Sequence, residues 1–126
     1  MKIELDSDFS TSNKITSYSN DTFTLKDTLI ETNLVVSKDR LIENWLVDSY
    51  QNLATQHLDQ IILWQPEIII IGSGKTPSFP NPELIAYAAS KNIGLEIMDT
   101  GAACRSYNLL VDEGRDVVAC LFLSDI

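Results

Sequence analysis

Histidine and cysteine are scarce in this sequence. The 126 residues include one histidine, His57, and two cysteines, Cys104 and Cys120. A structural zinc ion takes four ligands, nearly always cysteine or histidine, so a zinc site is not expected. Asp112-Glu113 offers carboxylates for another metal but is explained more simply as an acidic helix end, and we predict neither a metal nor a cofactor. Two cysteines without a framework spacing also argue against the disulfide-rich secreted proteins, and a reducing cytoplasm is the location that fits best.

Basic residues and long apolar runs are scarce as well. Nine lysine and arginine side chains stand against 18 aspartate and glutamate side chains, and the formal net charge is −9. This acidic balance repels a phosphate backbone, so we predict no nucleic-acid partner. No segment approaches the roughly 20 apolar residues that cross a bilayer, so we predict no membrane insertion. Acidic residues stand where a signal peptide has its apolar region, so we expect no secretion.

Three short aliphatic runs dominate the second half of the chain. They occupy residues 68–71, 95–98 and 117–123. Runs this short and this apolar are typical of strands that are buried on both faces of a parallel sheet. Parallel strands require long crossovers, and the segments between these runs are long enough to form helices. The pattern therefore predicts an α/β fold with a largely parallel central sheet that is covered by helices.

The two crossover segments carry helix start and stop signals. Asn81 suits an N-cap and Pro82 the first helical position, while Asn92 suits a left-handed end. The next helix is expected to start with Thr100 as its N-cap and to stop at Gly114. A shorter helix is predicted earlier, from Thr55 onwards.

The organisation of the whole chain follows from these patterns. Residues 1–13 show no sustained period, and we predict a loosely ordered tail. Residues 14–126 are predicted to form a single domain. Within it, residues 14–47 read as an antiparallel β-meander, with a hairpin turn at Lys38-Asp39, and residues 55–126 as a helix followed by a βαβαβ unit.

The segment Gly-Ser-Gly-Lys-Thr at 72–76 directly follows the first aliphatic run. It is similar to a nucleotide-binding phosphate loop, but that motif needs a glycine where this chain has Ile69. The glycines are explained by a sharp turn at the carboxyl end of a strand. Such strand ends are also where parallel sheets bind ligands, so a weak anion site at Gly74, Lys75 and the helix start at Asn81 is the alternative.

Polar residues after the second aliphatic run could complete a pocket at the same edge. Arg105 and Asn108, on the helix predicted after Thr100, either point towards Lys75 or only tie that helix to a neighbouring loop. Cys104 lies near the helix start, where the dipole favours a thiolate, but the sole histidine is on another predicted helix, so no catalytic residue is predicted. The candidate ligand pocket consists of Gly72, Ser73, Gly74, Lys75, Thr100, Arg105 and Asn108.

Several segments together resemble a known family. They are Pro-Glu-Ile-Ile-Ile-Ile-Gly-Ser-Gly at 66–74, Glu-Ile-Met-Asp-Thr at 96–100, Ala-Ala-Cys-Arg-Ser-Tyr-Asn at 102–108 and Glu-Gly-Arg at 113–115. With the hairpin at 33–45, they resemble a small domain family of unknown function. That family includes the mitochondrial complex I assembly factor 3 group and the adipogenesis-associated Mth-domain proteins. The resemblance implies a layered α/β fold with a mixed central sheet and a smaller antiparallel sheet.

Two hypotheses about function follow. The missing catalytic constellation and the resemblance favour a non-catalytic binding or assembly-type accessory protein with a protein partner, linked to respiratory complex assembly. The alternative is a protein that binds a small anionic metabolite, or an enzyme, and that uses the crevice at the strand ends. The oligomeric state stays open, because Trp45, Tyr50 and Trp64 suit a core as well as a self-association surface.

Overall fold

The computed structural model describes residues 12–123 of the chain. The strands in this part are β1 (Ile15–Tyr18), β2 (Phe23–Leu25), β3 (Thr28–Ile30), β4 (Leu34–Val36), β5 (Leu41–Ile42), β6 (Ile68–Gly72), β7 (Gly94–Met98) and β8 (Val117–Leu121). The α-helices are α1 (Thr55–Ile62), α2 (Pro82–Ser90) and α3 (Thr100–Asp112), and a 3-10 turn at Tyr50–Asn52 precedes α1.

The central sheet has five strands in the order β5-β4-β8-β6-β7. Strand β6 is parallel to both of its neighbours, and Ile70 lies opposite Glu96 on β7 and Ala119 on β8. Strand β4 runs antiparallel to β8 and to β5. The predicted fold class, a mixed and largely parallel sheet covered by helices, is confirmed.

The inner strands β4, β6 and β8 of the central sheet are buried on both faces, whereas the edge strand β7 leaves Glu96 exposed. Alternate residues of β6 point to opposite faces: Ile69 and Ile71 pack with α1 and α2, whereas Ile70 packs with α3. All three side chains are at most 1% exposed. Tyr50 is buried in the apolar cluster that contains Ile69 and Ile71, and Trp45 and Trp64 are half-buried against that cluster.

The second sheet is small and antiparallel, with the order β1-β2-β3. It places Phe23 and Ile30 in the same cluster as α3 and the central sheet, so it covers the face opposite α1 and α2. The β2–β3 hairpin turns at Lys26 and Asp27, which both have positive φ, 48° and 66°. Two left-handed residues in a two-residue loop match the twist of a hairpin, although glycine is absent.

The predicted β-meander of residues 14–47 divides between the two sheets. The small sheet ends at Ile30, and the predicted hairpin joins the central sheet through the pairing of β4 with β8. The physical reason lies in β4 itself, since Leu34, Val35 and Val36 are all fully buried. Three consecutive apolar residues suit an interior strand that is covered on both faces, rather than a meander with one face in solvent.

The N-terminal boundary is only partly described. Of the predicted tail, residues 1–11 lie outside the described residues. Asn13 is well held, because its side-chain amide donates to the carbonyl oxygens of Ser37 and Arg40 at 3.1 and 3.2 Å. Its own carbonyl accepts from the Tyr107 hydroxyl at 2.6 Å. Within residues 12–123, no helix is long and apolar enough to cross a membrane.

The start signal of α2 and the stop signals of both crossover helices are confirmed, whereas the start signal predicted for α3, Thr100 as its N-cap, is wrong. The Asn81 side chain accepts a hydrogen bond from the N–H of Glu83 at 3.0 Å, and so caps α2. Asn92 follows α2 with φ 64°, and Gly114 follows α3 with φ 76°. Both residues therefore end their helices in the left-handed conformation, which asparagine and glycine adopt most readily.

Candidate functional site

A cavity of about 380 Å³ opens where β6 and β7 end, and we call it the strand-end cavity. Three segments line it: the end of β1 with its turn (residues 18–20), the loop after β6 (residues 74 and 75), and the start of α3 (residues 99–101 and 105). Of the predicted pocket residues, Gly74, Lys75, Thr100 and Arg105 meet here. This convergence follows from the parallel pairing of β6 and β7, whose carboxyl ends share one edge.

The Thr100 hydroxyl makes two buried hydrogen bonds next to the strand-end cavity and does not cap α3. Its hydroxyl donates to the carbonyl oxygen of Phe122 at 2.6 Å and accepts from the N–H of Gly74 at 2.9 Å. The residue is 6% exposed. The cap of α3 is Asp99, whose carboxylate accepts from the N–H of Ala102 at 2.9 Å. Thr100 therefore ties the β6 loop to the chain after β8.

Gly72 lies beneath the helix and does not line the strand-end cavity. A Cβ atom at this position would be 2.9 Å from the Thr100 Cα and 3.0 Å from the Ala103 Cβ. Real side chains do not approach backbone this closely, so the glycine is what allows α3 to rest on the end of β6. Its role is close packing.

Arg105 is anchored by the small sheet. Its guanidinium donates to the Tyr18 hydroxyl at 2.5 Å. The Tyr18 ring in turn rests on Gly101, where a Cβ atom would be 3.0 Å from the tyrosine oxygen. A glycine in the first turn of α3 thus leaves room for an aromatic ring from β1, and the ring positions the arginine at the mouth of the strand-end cavity.

Lys75 also lines the strand-end cavity. It is exposed and forms no hydrogen bond or ion pair with any residue of the described part of the chain. The preceding Gly74 has φ 124°, a conformation that side chains rarely adopt. The predicted role of this glycine, a sharp turn at a strand end, is therefore met.

Besides Gly72, two further predicted pocket residues, Asn108 and Ser73, lie elsewhere. The Asn108 side chain donates to the Ile15 carbonyl at 2.8 Å and accepts from the Ile15 N–H at 2.9 Å, so it ties α3 to β1 and does not line the strand-end cavity. Ser73 faces a separate cavity of about 200 Å³ on the other side of the β6 loop. Its hydroxyl lies 3.2 Å from the Met98 carbonyl.

The electrostatics of the site argue against a reactive thiol. Burial raises the pKa of Cys104 to about 12, although the Arg105 guanidinium acts in the opposite direction. The helix dipole favours a thiolate at this position, but the loss of hydration outweighs it. Cys104 is 1% exposed and is protonated at neutral pH. Within residues 12–123, no three His, Cys, Asp or Glu side chains cluster as metal ligands would.

Five residues of the strand-end cavity were not predicted from the sequence: Tyr18, Ser19, Asn20, Asp99 and Gly101. Asp99 could have been found, because aspartate before a helical pattern is at least as good an N-cap as threonine. Tyr18 carried no such signal, because nothing in its own segment indicates that the small sheet lies against α3.

Known proteins match this chain in sequence. The family model described as "Protein of unknown function (DUF498/DUF598)" matches residues 15–122. The chain is 35% identical over 91 residues to the "13 kDa major membrane protein" of Francisella tularensis subsp. holarctica (strain LVS), which is 71% of this chain and 73% of that protein. It is 28% identical over 119 residues to "NADH dehydrogenase [ubiquinone] 1 alpha subcomplex assembly factor 3" of Mus musculus, which is 93% of this chain but 64% of that protein.

Solved structures have the same architecture. A crystal structure of a Bordetella parapertussis protein superposes with a TM-score of 0.83 at 28% identity, and the match covers 91% of this chain and 98% of that one. A solution structure from Bordetella pertussis, described as a Mth938-like domain, gives a TM-score of 0.77 at 22% identity, with 90% and 87% covered. The second likeness concerns the fold alone. The resemblance stated from the sequence, and the Mth-type fold that it implies, are confirmed.

Proposed function

The chain belongs to the DUF498/DUF598 family of proteins of unknown function, and from that premise we propose that it is a non-catalytic, assembly-type accessory protein that binds other proteins. The observation that carries the proposal is the similarity to assembly factor 3 over 93% of the chain. Because that match spans less than two thirds of the mouse protein, the link to respiratory complex assembly is part of the proposal. The cytoplasmic location stays a prediction.

Exposed apolar side chains support a binding role. Leu46, Leu63 and Phe79 are 93%, 79% and 92% exposed. The segments that carry them, next to Trp45, at the end of α1 and before α2, all cover the same face of the central sheet. Large apolar side chains that remain in water at this level contribute nothing to the core, and they supply contact area to a protein partner.

Phe79 lies in a loop whose backbone is restrained. Pro77 and Pro80 flank it and restrict the backbone of its loop. The Tyr50 hydroxyl donates to the Phe79 carbonyl at 2.9 Å, which fixes the loop to the 3-10 turn before α1. An aromatic side chain on a backbone that is already ordered loses less conformational entropy on binding than one on a free loop.

Affinity purification of the tagged chain at its native abundance tests the proposal. We expect a protein partner, such as a respiratory complex subunit, to be recovered in constant ratio with the wild type and in at least fivefold lower yield with Phe79→Ser. Leu29→Ser is the matched control, because Leu29 is 59% exposed on the small sheet, on the other side of the molecule. Repeated recovery of the chain alone, or equal losses with both variants, would contradict the proposal.

A further inference from the structure

We propose that the strand-end cavity binds a small metabolite through one phosphate or carboxylate group. The inference goes beyond the protein-binding role proposed above and does not depend on it, because Phe79 and its neighbours lie outside this cavity. It rests on three observations: two cations without a carboxylate partner, hydrogen-bond donors without an acceptor, and a volume that suits a small molecule.

The first observation is the placement of positive charge. In this acidic chain, three cationic side chains among residues 12–123 pair with carboxylates: Lys14, Lys38 and Arg115. Lys75 and Arg105 have no carboxylate within ion-pair distance, and both line the strand-end cavity. Two unpaired cations on one concave surface attract an oxyanion, and the arginine fork matches two oxygens of a phosphate or carboxylate.

The second observation concerns the donors beside these cations. Tyr18 accepts from Arg105, which leaves its own O–H free to donate. Gly101, the second residue of α3, also lines the strand-end cavity, and its N–H has no acceptor in the described chain. The adjacent Thr100 N–H, by contrast, donates to the Gly74 carbonyl at 2.8 Å. These donors and the two cations surround one space.

The third observation sets the class of ligand. About 380 Å³ is within the range of small-molecule sites, roughly 300 to 1,000 Å³. Asp99 also lines the strand-end cavity. The formal charge of the cavity lining is therefore +1, from Lys75 and Arg105 against one carboxylate. That balance suits a single oxyanion group, and it opposes a polyphosphate or a nucleic acid, which the net charge of −9 also repels.

Amide chemical shifts of the full chain test the inference. Sodium phosphate and sodium acetate would be titrated separately into the protein at constant ionic strength, since the two arms distinguish a phosphoryl from a carboxylate ligand. We expect saturable shifts of the Lys75 and Gly101 amides with at least one of them. Lys75→Ala should weaken that binding about tenfold, because it removes a charge-assisted hydrogen bond from an otherwise unchanged site.

The matched control is Lys91→Ala. It removes the same charge from the exposed end of α2, where Lys91 lies over the Tyr87 ring and far from the strand-end cavity. We expect its affinity to stay within twofold of the wild type. The inference is overturned if neither anion gives saturable shifts at Gly101, or if Lys75→Ala and Lys91→Ala weaken binding equally, because the effect would then report net charge alone.

Discussion

At the scale of single residues, the Thr100 hydroxyl joins the loop after β6 to the segment after β8 through two buried hydrogen bonds. It satisfies one buried N–H, that of Gly74, and one buried carbonyl, that of Phe122. We expect Thr100→Val to lower the free energy of unfolding by about 2 kcal/mol, because it leaves both groups without a partner in the interior. Urea denaturation measures the change. Thr76→Val, at an exposed position in the same loop, should stay within about 0.5 kcal/mol of the wild type.

Gly72 is the second residue whose replacement we expect to be costly. A methyl group there would meet the backbone of Thr100 at 2.9 Å, so α3 must move away from β6. We expect Gly72→Ala to destabilise the protein by about 1–3 kcal/mol, the usual range for overpacking. Gly94→Ala is the control, since its new Cβ would lie 3.7 Å from Ile68, an ordinary contact. Equal thermal midpoints for the two variants would contradict this account.

The role of a residue could be predicted where its hydrogen-bond partner lies in the same segment. It could not be predicted where the partner is distant in the sequence. Asn81 was predicted as a cap because asparagine followed by proline is a local signal. Thr100 was expected to cap α3, but its hydroxyl bonds to Phe122, 22 positions further along the chain. No pattern in one segment indicates a partner that far away.

At the scale of elements, the Asn108 side chain links α3 directly to the backbone of the small sheet. Asn108 makes two hydrogen bonds to the backbone of Ile15, at 2.8 and 2.9 Å. We expect Asn108→Ala to cost about 1–2 kcal/mol, and to raise the hydrogen-exchange rate of the Ile15 amide more than that of the β6 amides. Asn20→Ala, in the exposed turn after β1, should leave both rates unchanged. Uniform acceleration throughout the protein would contradict a local attachment.

The elements also show which structural features a sequence pattern can predict and which it cannot. Short aliphatic runs were sufficient to predict β6, β7 and β8 and their shared direction, because burial on both faces leaves few alternatives. That direction brought Lys75 and Arg105 to one cavity, which is one of the two arrangements that the sequence left open. It could not determine that Asn108 turns towards β1, since the position of the small sheet depends on contacts between distant segments.

At the scale of the whole molecule, buried thiols and phenols make stability depend on alkaline pH. Burial raises the pKa of Cys104 from 9.0 to about 12, and it also raises the pKa of Cys120 and of Tyr107. The unfolded chain therefore ionises first, and it releases protons that the folded chain retains. The free energy of unfolding should be nearly constant between about pH 7 and 8.5 and fall steadily above about pH 9.

Urea denaturation at a series of pH values between 7 and 11 measures this dependence. The variant Cys104→Ala/Cys120→Ala should have a shallower slope between pH 9 and 10, because of these three buried groups Tyr107 alone then contributes. Its lower stability at pH 7 does not affect the comparison, since the slope alone reports proton release. A wild-type free energy that stays constant up to pH 10.5 would show that these groups ionise in the folded protein.

The place of β8 in the central sheet has a consequence for biosynthesis. Strands β5 and β4 meet β6 and β7 only through β8, and Leu34 pairs with Leu121, 87 positions later. A nascent chain on the ribosome therefore holds two unjoined half-sheets with bare edges until residue 121 has emerged. Such edges are prone to aggregation, so we expect the growing polypeptide to be most vulnerable to it before β8 has been synthesised.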